Sequence, residues 1–204
     1  MRGLSSDLAG SLSETLRLAA GHERLVFLCS FQKEESVILD ELLGIAPDVR
    51  VVTIDTGVLF EQTRVAWRVF EERFGVSIGV EEAFGRPVWS GPGHCCGAAK
   101  VAALERVLAD ADGWVTGLRR EQGPTRVGIE LVELDRGRAI AKYNPLALWS
   151  ERDVWARIHE RGLPYHPLHD EGYASIGCAP CTRPGGGRDG RWAGSEKSEC
   201  GLHG

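Results

Sequence analysis

Short apolar runs alternate with longer amphipathic ones from the N-terminus to about residue 117, and this alternation is the tightest restriction on what the chain can fold into. LVFLC (25–29), RVVTI (50–54), VSIGV (76–80) and GWVTG (113–117) are strand-length. Between them, ESVILDELL (35–43), VLFEQTRVAWRVFEERF (58–74) and CGAAKVAALERVLADA (96–111) carry apolar residues at helical spacing. SSDLAGSLSETLRLA (5–19) sets Leu8, Leu12 and Leu16 four apart behind Ser and Asp capping candidates. Strand and helix in repeated succession predict an α/β fold: a mostly parallel twisted sheet flanked by helices. ELVELDRGRAIAKY (130–143) reads as a hairpin or edge pair, and SERDVWARIHERG (150–162) as a helix opened by a Ser-x-x-Asp cap.

At 204 residues the expected organisation is one domain over 1–181 and a flexible, glycine-rich tail over 182–204. No apolar run is long enough to cross a bilayer, and MRGLSSDLAG has no signal-like apolar core, so the expected location is cytoplasmic with no membrane contact. A net charge of −5 argues against a broad nucleic-acid-binding surface.

In a reducing compartment six cysteines point to metal or catalytic roles rather than disulfides. Cys95 and Cys96 are adjacent, and Cys178 and Cys181 form a CxxC. Four such thiols suit an iron–sulfur cluster, whose different irons can take neighbouring sulfurs. Zinc, or a redox pair with unrelated core thiols, are the alternatives. Cys29, inside LVFLC, reads as a core residue. Cys200 stands alone in the polar tail, where a thiol can enter a cleft, react and leave. Glu199 beside it disfavours the thiolate, so activation has to come from His203 or from arginines met on docking.

Ligands of open parallel sheets sit at the carboxyl ends of the strands. The loop GLRREQGPTR (117–126) gathers Arg119, Arg120, Gln122, Thr125 and Arg126 there, an oxyanion clamp by residue type. CSFQKEES offers Ser30, Lys33 and Ser36 at a helix start, where backbone N–H groups favour an anion. Asp55, Thr56 and Gly57 of IDTG are placed for ribose or base contacts, or Asp55 for a helix cap.

IDTG with the downstream LFEQT, the CC pair, WVTGLRREQGPTR, KYNPLALWSERDVW, LPYHPLHDEGYASIGCAPCTR and the terminal ECGLH together resemble the assimilatory sulfonucleotide reductases of iron–sulfur type, from about Leu25 to His203. The resemblance implies the adenine-nucleotide-hydrolase-like, PP-loop fold. It implies reduction of adenosine 5′-phosphosulfate (APS) to sulfite and AMP, with thioredoxin or a glutaredoxin-like protein as reductant. It also implies a 4Fe-4S cluster on Cys95, Cys96, Cys178 and Cys181, Cys200 as nucleophile, and Lys100 between cluster and substrate. The oligomeric state is open, a homo-oligomer included. The chain departs from the pattern at Ala99, where the family commonly has arginine, in the Gln32–Lys33–Glu34 loop, and in lacking a proline after the CC pair. Reduction of the 3′-phosphorylated nucleotide (PAPS), a PP-loop adenylating or tRNA-thiolating enzyme, and a zinc-stabilised binding module are the competing readings. Phe31 and Gln32 replace the glycines that an ATP-binding SGGxDS turn needs.

Overall fold

A strand covered on both faces needs apolar side chains pointing both ways, and β1 (Leu25–Leu28), β2 (Arg50–Asp55) and β4 (Gly113–Val115) meet that demand. The computed structural model describes residues 6–83, 97–192, 199 and 202. Among them, one six-stranded sheet runs in the order β3 (Gly79–Glu82), β2, β1, β4, β6 (Ile140–Tyr143), β5 (Val132–Asp135). All pairs are parallel except β5 with β6, which form the hairpin expected at the edge. Val26 of the central strand lies opposite both Arg50 and Trp114.

The chain winds outward from β1 through α2 (Lys33–Ile45) to β2, and through α3 (Glu61–Phe74) to β3. It then crosses by α4 (Ala98–Leu108) to β4 on the other side of β1. The winding therefore reverses between β1 and β4, which opens a crevice at their carboxyl ends. Alternation along β1 divides the core. Leu25 and Phe27 pack with Leu12 and Leu16 of α1 (Ser6–Ala19), Ile38 and Leu42 of α2, Phe70 of α3 and Ile158 of α5 (Glu151–Arg161). Val26 and Trp114 face the other way, toward Leu104 and Val107 of α4 and toward Cys178, Cys181, Trp192 and Leu202. Each such buried side chain contributes about 1.5–3 kcal/mol. No helix among the described residues is long and apolar enough to cross a membrane.

Three boundaries differ from the periodicity. β3 starts at Gly79 because the Ile78 N–H donates to the Glu71 carboxylate (2.9 Å) rather than to the ladder. Helix α3 starts at Glu61, because Val58 and Leu59 pair instead with the Cys178 segment. The stretch expected to begin a flexible tail at Thr182 is folded as far as Trp192. Arg183 N–H donates to the Gly190 carbonyl (2.8 Å) and Trp192 N–H to that of Cys181 (2.8 Å), and the Trp192 ring is only 1% exposed. One buried indole under Arg188 and Arg191 outweighs a composition that reads as linker.

The capping box of α5 is formed. Asp153 N–H donates to Ser150 Oγ (3.2 Å) and Ser150 N–H to Asp153 Oδ2 (2.9 Å). Ser150→Ala is expected to lower the free energy of urea unfolding by about 1 kcal/mol with an unchanged m-value.

Candidate active site

A cavity of about 510 Å³ opens at the reversal point. Ser30 and Gln32 after β1, Thr53 and Ile54 on β2, and Thr116 and Gly117 after β4 line one side of it. Cationic side chains line it as well: Lys100 in the first turn of α4, Arg119, Arg126, and Arg188 and Arg191 of the folded tail segment.

The loop after β1 is unlike a glycine turn. Phe31 takes a left-handed backbone (φ 63°), held by stacking on Trp67 (5.3 Å between centroids) and an edge contact with Phe70 (5.7 Å). Gln32 caps α2 from outside and accepts from Ile176 N–H (2.9 Å), joining this loop to the CxxC segment. Lys33 is not at the cavity. Its ammonium is buried, donating to the Ala174 carbonyl (3.0 Å) and pairing with Glu151 (3.2 Å). Ser30 lines the cavity and donates to Glu35 (2.9 Å), whereas Ser36 is fully buried.

Glu34 and Glu35 follow one another at the start of α2 and are both buried. Burial pushes Glu34 up, but the charges of Lys33 and Arg119 outweigh it and hold the carboxyl at about 2. Burial and the charge of Glu34 raise Glu35 to about 7, against the opposing hydrogen bond from Ser30. Oε2 of Glu35 has no hydrogen-bond partner among the described residues. Arg119 is 2% exposed and fixed by Glu34 (2.9 Å), Glu151 (2.6 Å), Glu121 (3.2 Å) and the Trp149 carbonyl (3.3 Å).

The clamp expected of the 117–126 loop is thus divided. Arg119 is a buried strut, and Arg120 turns outward to Glu130 (2.9 Å) and the Ile129 carbonyl (2.7 Å). Gln122 bridges Glu34 (3.1 Å) and the Arg119 N–H (3.0 Å). Arg126 faces the cavity but binds the Glu199 carboxylate through Nε (2.7 Å) and Nη2 (3.0 Å). Asp55, Thr56 and Gly57 lie beside the cavity wall rather than in it. Asp55 accepts from Gly57 N–H (2.7 Å) and faces Arg64 (3.4 Å), and Thr56 Oγ1 meets Cys178 Sγ (3.1 Å).

Cys178 and Cys181 are buried and packed in one apolar cluster with Trp192 and Leu202; Cys178 also lines the cavity. Cys29 is a core residue whose thiol burial pushes well up. Cys95, Cys96, Cys200 and His203 lie outside the described residues. No group of three metal-ligating side chains occurs among those that are described.

Sequence reasoning passed over Arg188 and Arg191, hidden in what read as linker; the signal available was GRDGRW, two arginines leading to a tryptophan. Arg191 donates to the Ile176 carbonyl (3.1 Å) and lies 4.5 Å over Trp192, while its buried Nε has no partner among the described residues. Gly177 makes room for it, since a Cβ there would collide with the guanidinium.

The sheet order, the reversal point and the loops above it define an α/β protein of the PP-loop type. Residues 24–184 match the phosphoadenosine phosphosulfate reductase domain. An adenosine 5′-phosphosulfate reductase of Geobacillus kaustophilus is 39% identical over 197 residues, 89% of this chain and 84% of that protein. A phosphoadenosine 5′-phosphosulfate reductase of Gloeobacter violaceus is 41% identical over 199 residues, 89% of this chain and 83% of that one. The crystal structure of a phosphoadenylyl-sulfate reductase from Candida auris, a phosphate complex, superposes with a TM-score of 0.72 at 25% identity, covering 87% of this chain and 97% of that one. The chain belongs to the phosphoadenosine phosphosulfate reductase family.

Two consequences of this geometry are measurable. Because the folded Glu35 carboxyl keeps its proton up to about pH 7, its favourable contribution is complete below about pH 4.5 and is lost as pH rises through about 7. Thermal unfolding across that window should show Glu35→Gln losing less stability than the parent as pH rises. Gly177→Ala should push the Arg191 guanidinium aside, weakening AMP binding in calorimetry by about 1.5–3 kcal/mol, the worth of a charge-assisted hydrogen bond. Its unfolding midpoint should shift little, because the clash is with the end of a flexible side chain.

Proposed function

We propose that this chain reduces adenosine 5′-phosphosulfate to sulfite and AMP in assimilatory sulfate reduction, in the cytoplasm, with thioredoxin or a glutaredoxin-like protein as reductant. The observation that carries the reading is Arg191, buried in the cavity wall with Nε unpartnered, opposite the loops of a fold whose relatives are named for reducing this class of anhydride. Lys100 lines the same cavity. A phosphosulfate needs cations fixed in place before reaction, because charge gathers on the departing phosphate as its bond to sulfur breaks.

The chemistry balances with one protein thiol and an external dithiol. The Cys200 thiolate attacks the sulfuryl sulfur, the bond from that sulfur to the AMP phosphate breaks, and AMP leaves with the electron pair. Cys200 is left as an S-sulfocysteine. A thiolate of the reductant then attacks the Cys200 sulfur, sulfite departs with the bonding pair, and the second thiol of the reductant closes its disulfide and frees Cys200. Two electrons pass from dithiol to sulfur.

Cys178 and Cys181, buried against Trp192, have the donor type and setting of cluster ligands, and Cys96 immediately precedes the N-cap of α4 in the sequence. In this reading they would hold a 4Fe-4S cluster together with Cys95 and Cys96, and the chemistry it would supply is electrostatic. Adenylation of a substrate by ATP is disfavoured by the loop after β1. The Phe31 side chain and its left-handed backbone take the place of the glycines whose N–H groups would approach a pyrophosphate.

Anaerobic incubation with adenosine 5′-phosphosulfate and no reductant, followed by mass analysis of the C-terminal peptide, tests the reading. A sulfonate on Cys200 that thioredoxin releases as sulfite is expected. Cys200→Ser should abolish it while iron and acid-labile sulfide content stay at the parent's level. ATP–pyrophosphate exchange in place of an adduct would move the chain to the adenylating enzymes, and equal turnover of the 3′-phosphorylated nucleotide would widen its substrate class.

A further inference from the structure

Glu35 is a buried acid that neither the ion pairs on Arg119 nor the chemistry above uses. It follows Glu34 in the first turn of α2, is 6% exposed and lines the cavity. Its Oε1 is occupied. The Ser30 hydroxyl donates to it (2.9 Å), and the Gly117 backbone comes so close that a Cβ there would stand 3.0 Å from it. Oε2 is buried with no hydrogen-bond partner among the described residues. Leaving a buried polar atom so is costly, and a ligand that supplies the missing partner recovers the cost.

The charges around Glu35 decide which form it takes. The nearest cations are spent elsewhere: Arg119 on Glu34 (2.9 Å) and Glu151 (2.6 Å), and Lys33 on Glu151 (3.2 Å), 3.9 Å from Glu34. Directly after β1, burial and then the charge of Glu35 push the Cys29 thiol up, so it stays neutral. Two neighbouring buried carboxyls cannot both ionise cheaply. Glu34 holds the cations and ionises; Glu35, raised to about 7 by burial and by the charge of Glu34, keeps its proton.

We propose that protonated Glu35 donates through Oε2 to an uncharged oxygen of the bound nucleotide, so that nucleotide binding takes up a proton. The proposal deepens the reductase reading and rests on it. A carboxylate at this position would add to the charge of Glu34 and repel an anionic ligand, whereas a carboxylic acid offers it a donor. The last torsion of a glutamate side chain is soft, so the ligand can aim the O–H without disturbing α2. Lys100, Arg126, Arg188 and Arg191 line the same cavity and suit the anionic end of the nucleotide. The acid suits a neutral part of it. Because the protonated form binds, affinity is full below about pH 7 and falls as pH rises through that value.

The test is calorimetry of AMP binding to the full-length, cluster-loaded protein at pH 8, in HEPES and in Tris, whose ionisation enthalpies differ. AMP is already fully ionised there, so the difference in heat should report uptake of roughly one proton per nucleotide by the protein. Glu35→Gln keeps the shape and a donor and should take up no proton. The ratio of parent to Glu35→Gln affinity should fall about ten-fold between pH 6 and pH 8. Glu35→Leu, without a donor, should bind AMP severalfold more weakly than Glu35→Gln at both pH values. AMP bound by the parent without proton uptake, or with equal uptake in Glu35→Gln, would overturn the proposal and leave the reductase reading standing. No binding of AMP to the parent at millimolar nucleotide would sink the reductase reading and the proposal with it.

Discussion

Arg119 has almost no contact with water, and the loops above the sheet depend on how its charge is answered. Glu34 from the start of α2, Glu151 from the start of α5 and Glu121 from its own loop converge on one guanidinium. Glu34 is the buried partner, and losing it would cost about 3–5 kcal/mol, because the charge left behind has no solvent, whereas Glu121 and Glu151 are half exposed. Three loops from separate parts of the sequence are thereby fixed relative to each other on the reversal point of the sheet. Lys33 adds to the same network through Glu151 and the Ala174 carbonyl, drawing in the segment that leads to the CxxC.

That network explains which parts of the site could be read in the sequence and which could not. β1, β2 and β4 were legible because strands covered on two faces write their burial directly into apolar runs, and α5 because its Ser150–Asp153 cap is a local signal. Arg119 and Arg120 are neighbours of identical chemistry, one a strut inside the protein and the other turned to Glu130. The difference is made by Glu34 and Glu151, 85 and 32 positions away from Arg119, and no local pattern contains it. The burial of Lys33 against Glu151 and the Ala174 carbonyl is hidden in the sequence for the same reason. The CxxC, the double cysteine and the terminal cysteine were visible as residue types, whereas the role of Arg188 and Arg191 depended on one tryptophan turning a glycine-rich stretch into folded chain.

The site therefore joins two regimes. One side of the cavity is built from strand ends and loops fixed by buried ion pairs. The tail side is held by a partly exposed ion pair and a single apolar side chain.

Phe31 shows how firmly the chemistry is committed. Its left-handed backbone costs about 1–2 kcal/mol relative to an ordinary conformation, and glycine would remove that strain. The same exchange would empty the space of a phenyl ring against Trp67 and Phe70, a loss of about 3–5 kcal/mol. A glycine at this position would therefore free the backbone at a net cost in packing. The ring thus works as a wedge: the exchange that would relax this turn is the one that opens a hole beneath it.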